Sequence, residues 1–238
     1  HNIFNSKTRG WLFESLRYSP VAFSREMTPI RAGGCFGLAS EFPLAPNESI
    51  KKSDLRVFLR PTGRYWLPVL PGLPPVLSSQ DSKILEPEDS RVNDIPLWDG
   101  EDPNSVVALL AGKLGFLWWS STGDDFDTMV SQTIPPRLLM NLVGDSPALR
   151  LLADKVLAKA HTAAFGSKNA AAIYVNVRWT DLNQELDEFA RELLAALGLL
   201  EEWRPLCIWY RMTMRSSGEN TNSVEISSEI SRKFLSNH

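Results

Sequence analysis

The sequence predicts an α+β fold: short strands in one or more mixed sheets, packed with several helices, with a mainly helical C-terminal half. Three observations predict it. Short runs with period-two alternation occur in the first part of the chain, among proline, glycine and serine punctuation. From about residue 103 onward, longer runs repeat apolar residues at helical spacing. A composition of 43% hydrophobic and 22% charged residues over 238 positions supplies a sizeable core and excludes wholesale disorder. The length suits one elaborate domain or two small ones. The expected division is an α+β part over residues 1–140 and a mainly helical part over residues 141–238. The chain starts at His1, so a fragment of a longer protein is expected.

Residues 1–42 read as a loop followed by strand-like pieces, with Gly33-Gly34 at a turn or bulge. This pair has neither the spacing nor the strand–turn–helix setting of a phosphate loop. Pro43, Pro46, Asn47 and Ser49 mark a further loop. Residues 54–69 then read as a hairpin, LRVFLR and YWLPVL joined through Pro61-Thr62-Gly63. Alternation puts Leu55, Val57 and Leu59 on one strand face and Arg56, Phe58 and Arg60 on the other, with Arg64 and Tyr65 at the turn. Arginines beside Phe58, Tyr65 and Trp66 suit phosphate contact and base stacking. They equally suit an outward face where arginine stems pack over aromatic rings. Residues 71–103 read as a long connection with one or two short strands.

The central stretch runs from Asp102 to Pro136. Asp102 is the candidate N-cap and Pro103 the first helical residue, where a missing N–H costs nothing. Val106, Val107, Leu109, Leu110, Leu114, Phe116 and Leu117 are apolar on nearly all sides, which predicts a buried helix. Gly112 and Gly115 each cost roughly 1 kcal/mol there relative to alanine, so a close packing partner is expected. The helix leads to Trp118 and Trp119, then Gly123 and an acidic knot, Asp124, Asp125 and Asp127, around Phe126.

Ser146-Pro147 starts a second helix with Ala148, Leu149, Leu151, Leu152, Val156, Leu157 and Ala160 as its apolar stripe, ending near Phe165-Gly166. His161, in its last turn, suits a surface or dipole-compensating role. Residues 171–177 read as a strand. Thr180 or Asp181 caps a helix over about 182–197, with Gly198 as its stop. Leu182, Leu186, Phe189, Leu193, Leu194 and Leu197 form its buried stripe, and Glu185, Asp187, Glu188 and Glu192 a solvated face rather than a metal site. WRPLCIWYRMTM is a further amphipathic helix, and the polar tail from Ser216 holds a loop with a short helix.

The net charge is −3, but it is unevenly spread. Residues 1–70 hold ten Lys/Arg against five acids; the rest hold 15 against 23. A basic first third is a candidate footprint for a phosphate backbone, or a scatter of solvated charges. Cys35 and Cys207 have no metal-ligand spacing and read as buried free thiols in a reducing compartment. No apolar run is long enough to span a bilayer.

Three blocks carry a resemblance. ALLAGKLGFLWWSSTGDDFD is similar to the "LLNS-x-LF-x-WWW-x-x-x-GDGFH" segment of large bacterial restriction–modification proteins, the adenine-specific DNA methyltransferases often fused to a nuclease. Asp125 stands where that pattern has glycine, and Asp127 where it has histidine. R-x-WLFESLRY resembles a segment upstream in the same family. N-V-x-W-T-D-L…L-L-A-A-L-G-L resembles its C-terminal part, with Asn176, Trp179, Asp181, Leu182, Gly198, Leu199 and Trp203 at matching positions. The resemblance implies the target-recognition region of a type IIG-like, site-specific DNA adenine methyltransferase or fused restriction enzyme. It also implies a bacterial cytoplasm, double-stranded DNA as partner, and an N-terminal methyltransferase domain of the same protein that uses S-adenosylmethionine. DNA contact then falls to Arg56, Arg60, Arg64 and Tyr65, with Trp118, Trp119, Gly123, Asp124, Phe126, Asn176 and Trp179 fixing the geometry behind that surface.

The catalytic motifs of such an enzyme, a glycine-containing loop for the methyl donor and an [DNS]-P-P-[YF] motif for the flipped base, are not in this chain. No nucleophile–base pair stands out. Two other classes stay open. One is a protein-interaction or scaffold module whose acidic helices dock a partner subunit. The other is a hydrolase with a metal at Asp124, Asp125 and Asp127. A continuous basic groove favours DNA; scattered arginines with a large exposed apolar patch favour a protein partner.

Overall fold

Period-two alternation builds the first sheet. In the computed structural model, which describes residues 52–61, 68–116, 146–214 and 223–235, the elements run β1 (Lys52–Leu59), β2 (Val69–Leu70), β3 (Val76–Ser78), β4 (Ile84–Glu86), β5 (Asn93–Trp98), α1 (Pro103–Ala111), α2 (Pro147–Ala160), β6 (Ala164–Asn169), β7 (Ala172–Val177), α3 (Asn183–Ala196), α4 (Trp203–Met214), β8 (Ser223–Val224) and α5 (Ser228–Leu235). The fold is α+β, and every described strand pair is antiparallel. One sheet has the order β2-β1-β5 and the other β4-β3-β7-β6-β8.

β1 pairs antiparallel with β2, but with Phe58 opposite Leu70 and Leu59 opposite Val69, not in the register that a tight turn through Pro61-Thr62-Gly63 would give; residues 62–67 lie outside the described residues. Val57 and Leu59 are fully buried, while Arg56, Phe58 and Arg60 share the other face. Leu55 departs from the expected pattern. The register shifts between Lys52 and Arg56, and this irregularity turns Leu55 outward at 44% exposure.

The connection over residues 71–103, expected to hold one or two short strands, carries three, β3, β4 and β5. Pro96 hides β5 in the sequence. It is tolerated because β5 is an edge strand whose sole described neighbour is β1. β3, from before residue 140, pairs with β7, from after it, and among the described residues buried side chains from both sides form one hydrophobic cluster.

α1 is buried as its sequence predicts, with Val106, Val107, Leu109 and Leu110 all within 1% of full burial. The Asp102 carboxylate accepts from Ser105 N at 2.9 Å and caps the first turn. Gly112 is extended and breaks the helix, which resumes over residues 113–116. A Cβ at Gly115 would lie 2.3 Å from the Leu110 carbonyl oxygen, so the chain's own preceding turn is the close partner.

α2 starts at Ser146-Pro147 as expected, but ends at Ala160. Phe165 and Gly166 lie in β6, and Leu151 leaves the stripe at 71% exposure. β7 alternates strictly between half-buried and buried residues. A 3₁₀ turn, Trp179–Leu182, precedes α3, so neither Thr180 nor Asp181 caps it with a side chain. Leu186, Phe189, Leu193 and Leu194 are buried on α3 as the stripe predicts, and Gly198 ends it at φ +70°. The tail adds β8 beside β6 before its helix, α5.

Candidate nucleic-acid interface

Arg60 joins the two sheets. Its Nε donates to Asn176 Oδ1 at 2.5 Å, one Nη to Asp89 Oδ2 at 2.7 Å and the other to the Val175 carbonyl at 2.7 Å. Its side chain is 13% exposed and that of Asp89 1%. The second Asp89 oxygen accepts from Arg91 N at 2.9 Å, and Asn176 Nδ2 donates to the Tyr174 carbonyl at 2.9 Å. Trp179, 1% exposed, adds a second tie: its indole N–H donates to the Val69 carbonyl at 2.9 Å. A planar guanidinium meeting three acceptors in fixed directions is what lysine cannot supply. Arg60 is therefore committed to internal partners.

Arg56 is engaged too. It donates to the carbonyls of Ser53 (2.7 Å) and Leu55 (2.9 Å) at the β1 irregularity, and its Nε lies 3.3 Å from Asp94. The cleft beside it, about 410 Å3, is lined by Phe58, Glu88, Asp89 and Asp94 among others. Acids, not further cations, surround Arg56 there. The expected face does carry Arg56 and Arg60 together, but no continuous basic groove runs between them among the described residues.

A different arginine-and-aromatic surface forms on the second sheet. Tyr174 and Asn176 project from one face of β7 while Ile173, Val175 and Val177 enter the core. The register places Ser167 opposite Tyr174 and Phe165 opposite Asn176, so these share that face. The Arg91 guanidinium lies 4.5 Å from the Tyr174 ring centroid and that of Arg60 5.9 Å. Arg178 lies 4.8 Å from the Phe165 centroid, donates to Ser223 Oγ at 3.2 Å and stands 3.8 Å from Asp181.

The acidic face of α3 is paired rather than simply solvated. Glu188 bonds Lys155 at 2.6 Å, Glu185 bonds Lys159, and Asp187 bonds Lys113. The Lys159 bond holds the Glu185 carboxyl below its ordinary value. The Lys155 bond does the same for Glu188. Lys113 sits 5.5 Å from the Trp203 ring and 5.0 Å from the Tyr210 ring. Burial there pushes the Tyr210 hydroxyl up to about 12. Burial likewise raises the thiol of the half-buried Cys207. Among the described residues no cluster of His, Cys, Asp and Glu could hold a metal ion, and no helix is long and apolar enough to cross a membrane.

Of the sequence-predicted site residues, the structure brings Arg60, Asn176 and Trp179 to the sheet junction and sets Arg56 apart at the acidic cleft. Arg64, Tyr65, Trp118, Trp119, Gly123, Asp124 and Phe126 lie outside the described residues, as does Cys35. Sequence reasoning missed Arg91, Phe165, Tyr174 and Arg178. Period two along β7 places Arg178 in line with Tyr174 and Asn176, a signal that was legible; Arg91 arrives from a separate segment and had none. The chain matches no protein-family model, no curated protein and no solved structure.

Proposed function

We propose that the chain is a DNA-binding target-recognition unit of a site-specific DNA adenine methyltransferase or fused restriction enzyme, which positions duplex DNA for a catalytic domain elsewhere in the protein. The observation that carries this reading is the occurrence of three motif blocks in family order, about residues 7–20, 104–136 and 171–212. Two residues of the third block support it in a specific way. Asn176 and Trp179 are the side chains through which β7 and its following turn hold the first sheet, a reason for a motif to require them that does not depend on catalysis. Methyl transfer itself is assigned to no residue of this chain, since neither the donor loop nor the base-holding motif is in its sequence. S-adenosylmethionine belongs, on this reading, to the N-terminal methyltransferase domain.

One observation favours the alternative, a module that docks a protein partner. Leu151 (71% exposed) and Leu200 (46% exposed) are large exposed apolar side chains. Leu200 lines a shallow groove of about 360 Å3 with Leu152, Ala195, Glu188 and Arg191. The two readings are separable. The chain is mixed with a pool of random duplex DNA at about 50 and about 200 mM salt. A target-recognition unit binds, weakens steeply as salt rises and enriches a defined sequence. A docking module retains no DNA at either salt.

A further inference from the structure

We infer that the Tyr174–Phe165 face of the β6–β7 hairpin, beside the Arg60–Asn176 junction, is the seat of the DNA phosphate backbone, with Arg91 and Arg178 as the contacting cations; this rests on the DNA-binding reading above and names where it acts. Three observations converge on that face. The first is charge. Residues 164–178 contain no acid, and of their two cations Arg178 falls in line with that face while Lys168, opposite Ile173, falls on the other; residues 179–202 contain seven acids against Arg191 alone. The hairpin thus presents a cation with no acid of its own, whereas Glu185, Asp187 and Glu188 of the segment that follows are already paired with lysines.

The second is availability. Asp89, the buried acid nearest Arg91 in sequence, is taken by Arg60, and Arg91 is exposed and makes no salt bridge among the described residues. The Arg178 side chain is 41% exposed, and its acidic neighbour Asp181 stands at 3.8 Å and is itself half exposed. A phosphate competes readily with so open a pair.

The third is geometry. A guanidinium resting on a ring, as Arg91 does on Tyr174 and Arg178 on Phe165, is oriented in advance. Its N–H edge can meet a phosphate with less rotamer entropy left to lose. Ser167 and Ser223, paired across β6 and β8, and Asn169 add uncharged hydrogen-bonding groups of the kind that accompany backbone contacts.

The test uses the full chain and random-sequence duplex DNA, with affinity followed from about 50 to about 200 mM salt. Arg91→Ala/Arg178→Ala is expected to weaken binding at least about tenfold at the lower salt. It should also flatten the slope of log affinity against log salt by about 1.8, two phosphates' worth, with the same loss on every sequence. Arg91→Lys/Arg178→Lys should keep the slope, a rescue that a purely structural role for the stacked arginines does not give. Arg191→Ala, from the acidic segment, should bind like the wild type. Wild-type affinity and slope in the double alanine variant, or a loss that the lysine variant fails to rescue, overturns the inference and leaves the DNA-binding reading standing. A wild-type chain that binds no duplex at the lower salt overturns both.

Discussion

Arg60 shows how one residue decides between two surfaces. On the sequence it stands beside Arg56 as a free cation on a strand face. In the fold its guanidinium is bonded to Asn176, Asp89 and Val175. Arg60→Ala should therefore cost roughly 3–5 kcal/mol in urea unfolding, because it leaves the buried Asp89 charge alone. Arg60→Lys should recover little of it, since one ammonium cannot serve three acceptors in a plane. Ala170 makes a smaller point. It turns the β6–β7 hairpin at φ +53°, a left-handed conformation that costs a residue with a Cβ about 1–2 kcal/mol. Ala170→Gly should raise stability by about 0.5–1 kcal/mol after glycine's entropy loss is counted. The alanines at this turn also explain why β6 was not legible: no Asn-Gly or Gly-Gly marked it.

At the scale of elements, α2 and α3 are held by an apolar seam and by lysine–glutamate pairs beside it. Leu149, Ala153, Val156 and Ala160 are fully buried on α2, while Lys155 and Lys159 reach Glu188 and Glu185 on α3. The Lys159 bond holds Glu185 below the ordinary 4.5. Its folded form thus binds its proton less readily than the unfolded chain does. That contribution to stability is present above 4.5 and is lost as pH falls through the lowered value. The urea midpoint should drop as pH falls from about 5 through that lowered value, and Lys159→Met should lessen the drop. An unchanged acid limb in Lys159→Met would mean that the pair adds nothing to folding. The helices themselves were legible because their signals are local: Ser146-Pro147 at one start, a 3.6-residue stripe along α3 and Gly198 at its end. The pairing of their charges was not, since each lysine meets a carboxylate on another helix.

For the whole molecule, the decisive fact is that the described residues on both sides of residue 140 share one hydrophobic cluster. The second sheet takes β3 and β4 from before residue 140 and β6, β7 and β8 from after it. The expectation was an α+β part before residue 140 and a mainly helical part after it, in one elaborate domain or two small ones; the pairing of β3 with β7 links the described strands of the two parts. Urea unfolding should accordingly give coincident transitions by tryptophan fluorescence and far-UV circular dichroism. Two resolved steps would show that the parts unfold independently.

The sequence by itself determined the α+β class, the capped and buried α1, the alternation of β1 from Arg56 onward and of β7, and the length and buried stripe of α3. Each follows from neighbours a few residues apart, where periodicity and capping chemistry act. The tertiary structure alone decided what the arginines do. Arg60 meets Asn176 from 116 positions away and is withdrawn from solvent, while Arg91 and Arg178 come to rest on two rings of the β6–β7 face. A strand face read from alternation says which side chains lie together. Whether an acid from elsewhere in the chain neutralises them depends on contacts that only the folded chain makes.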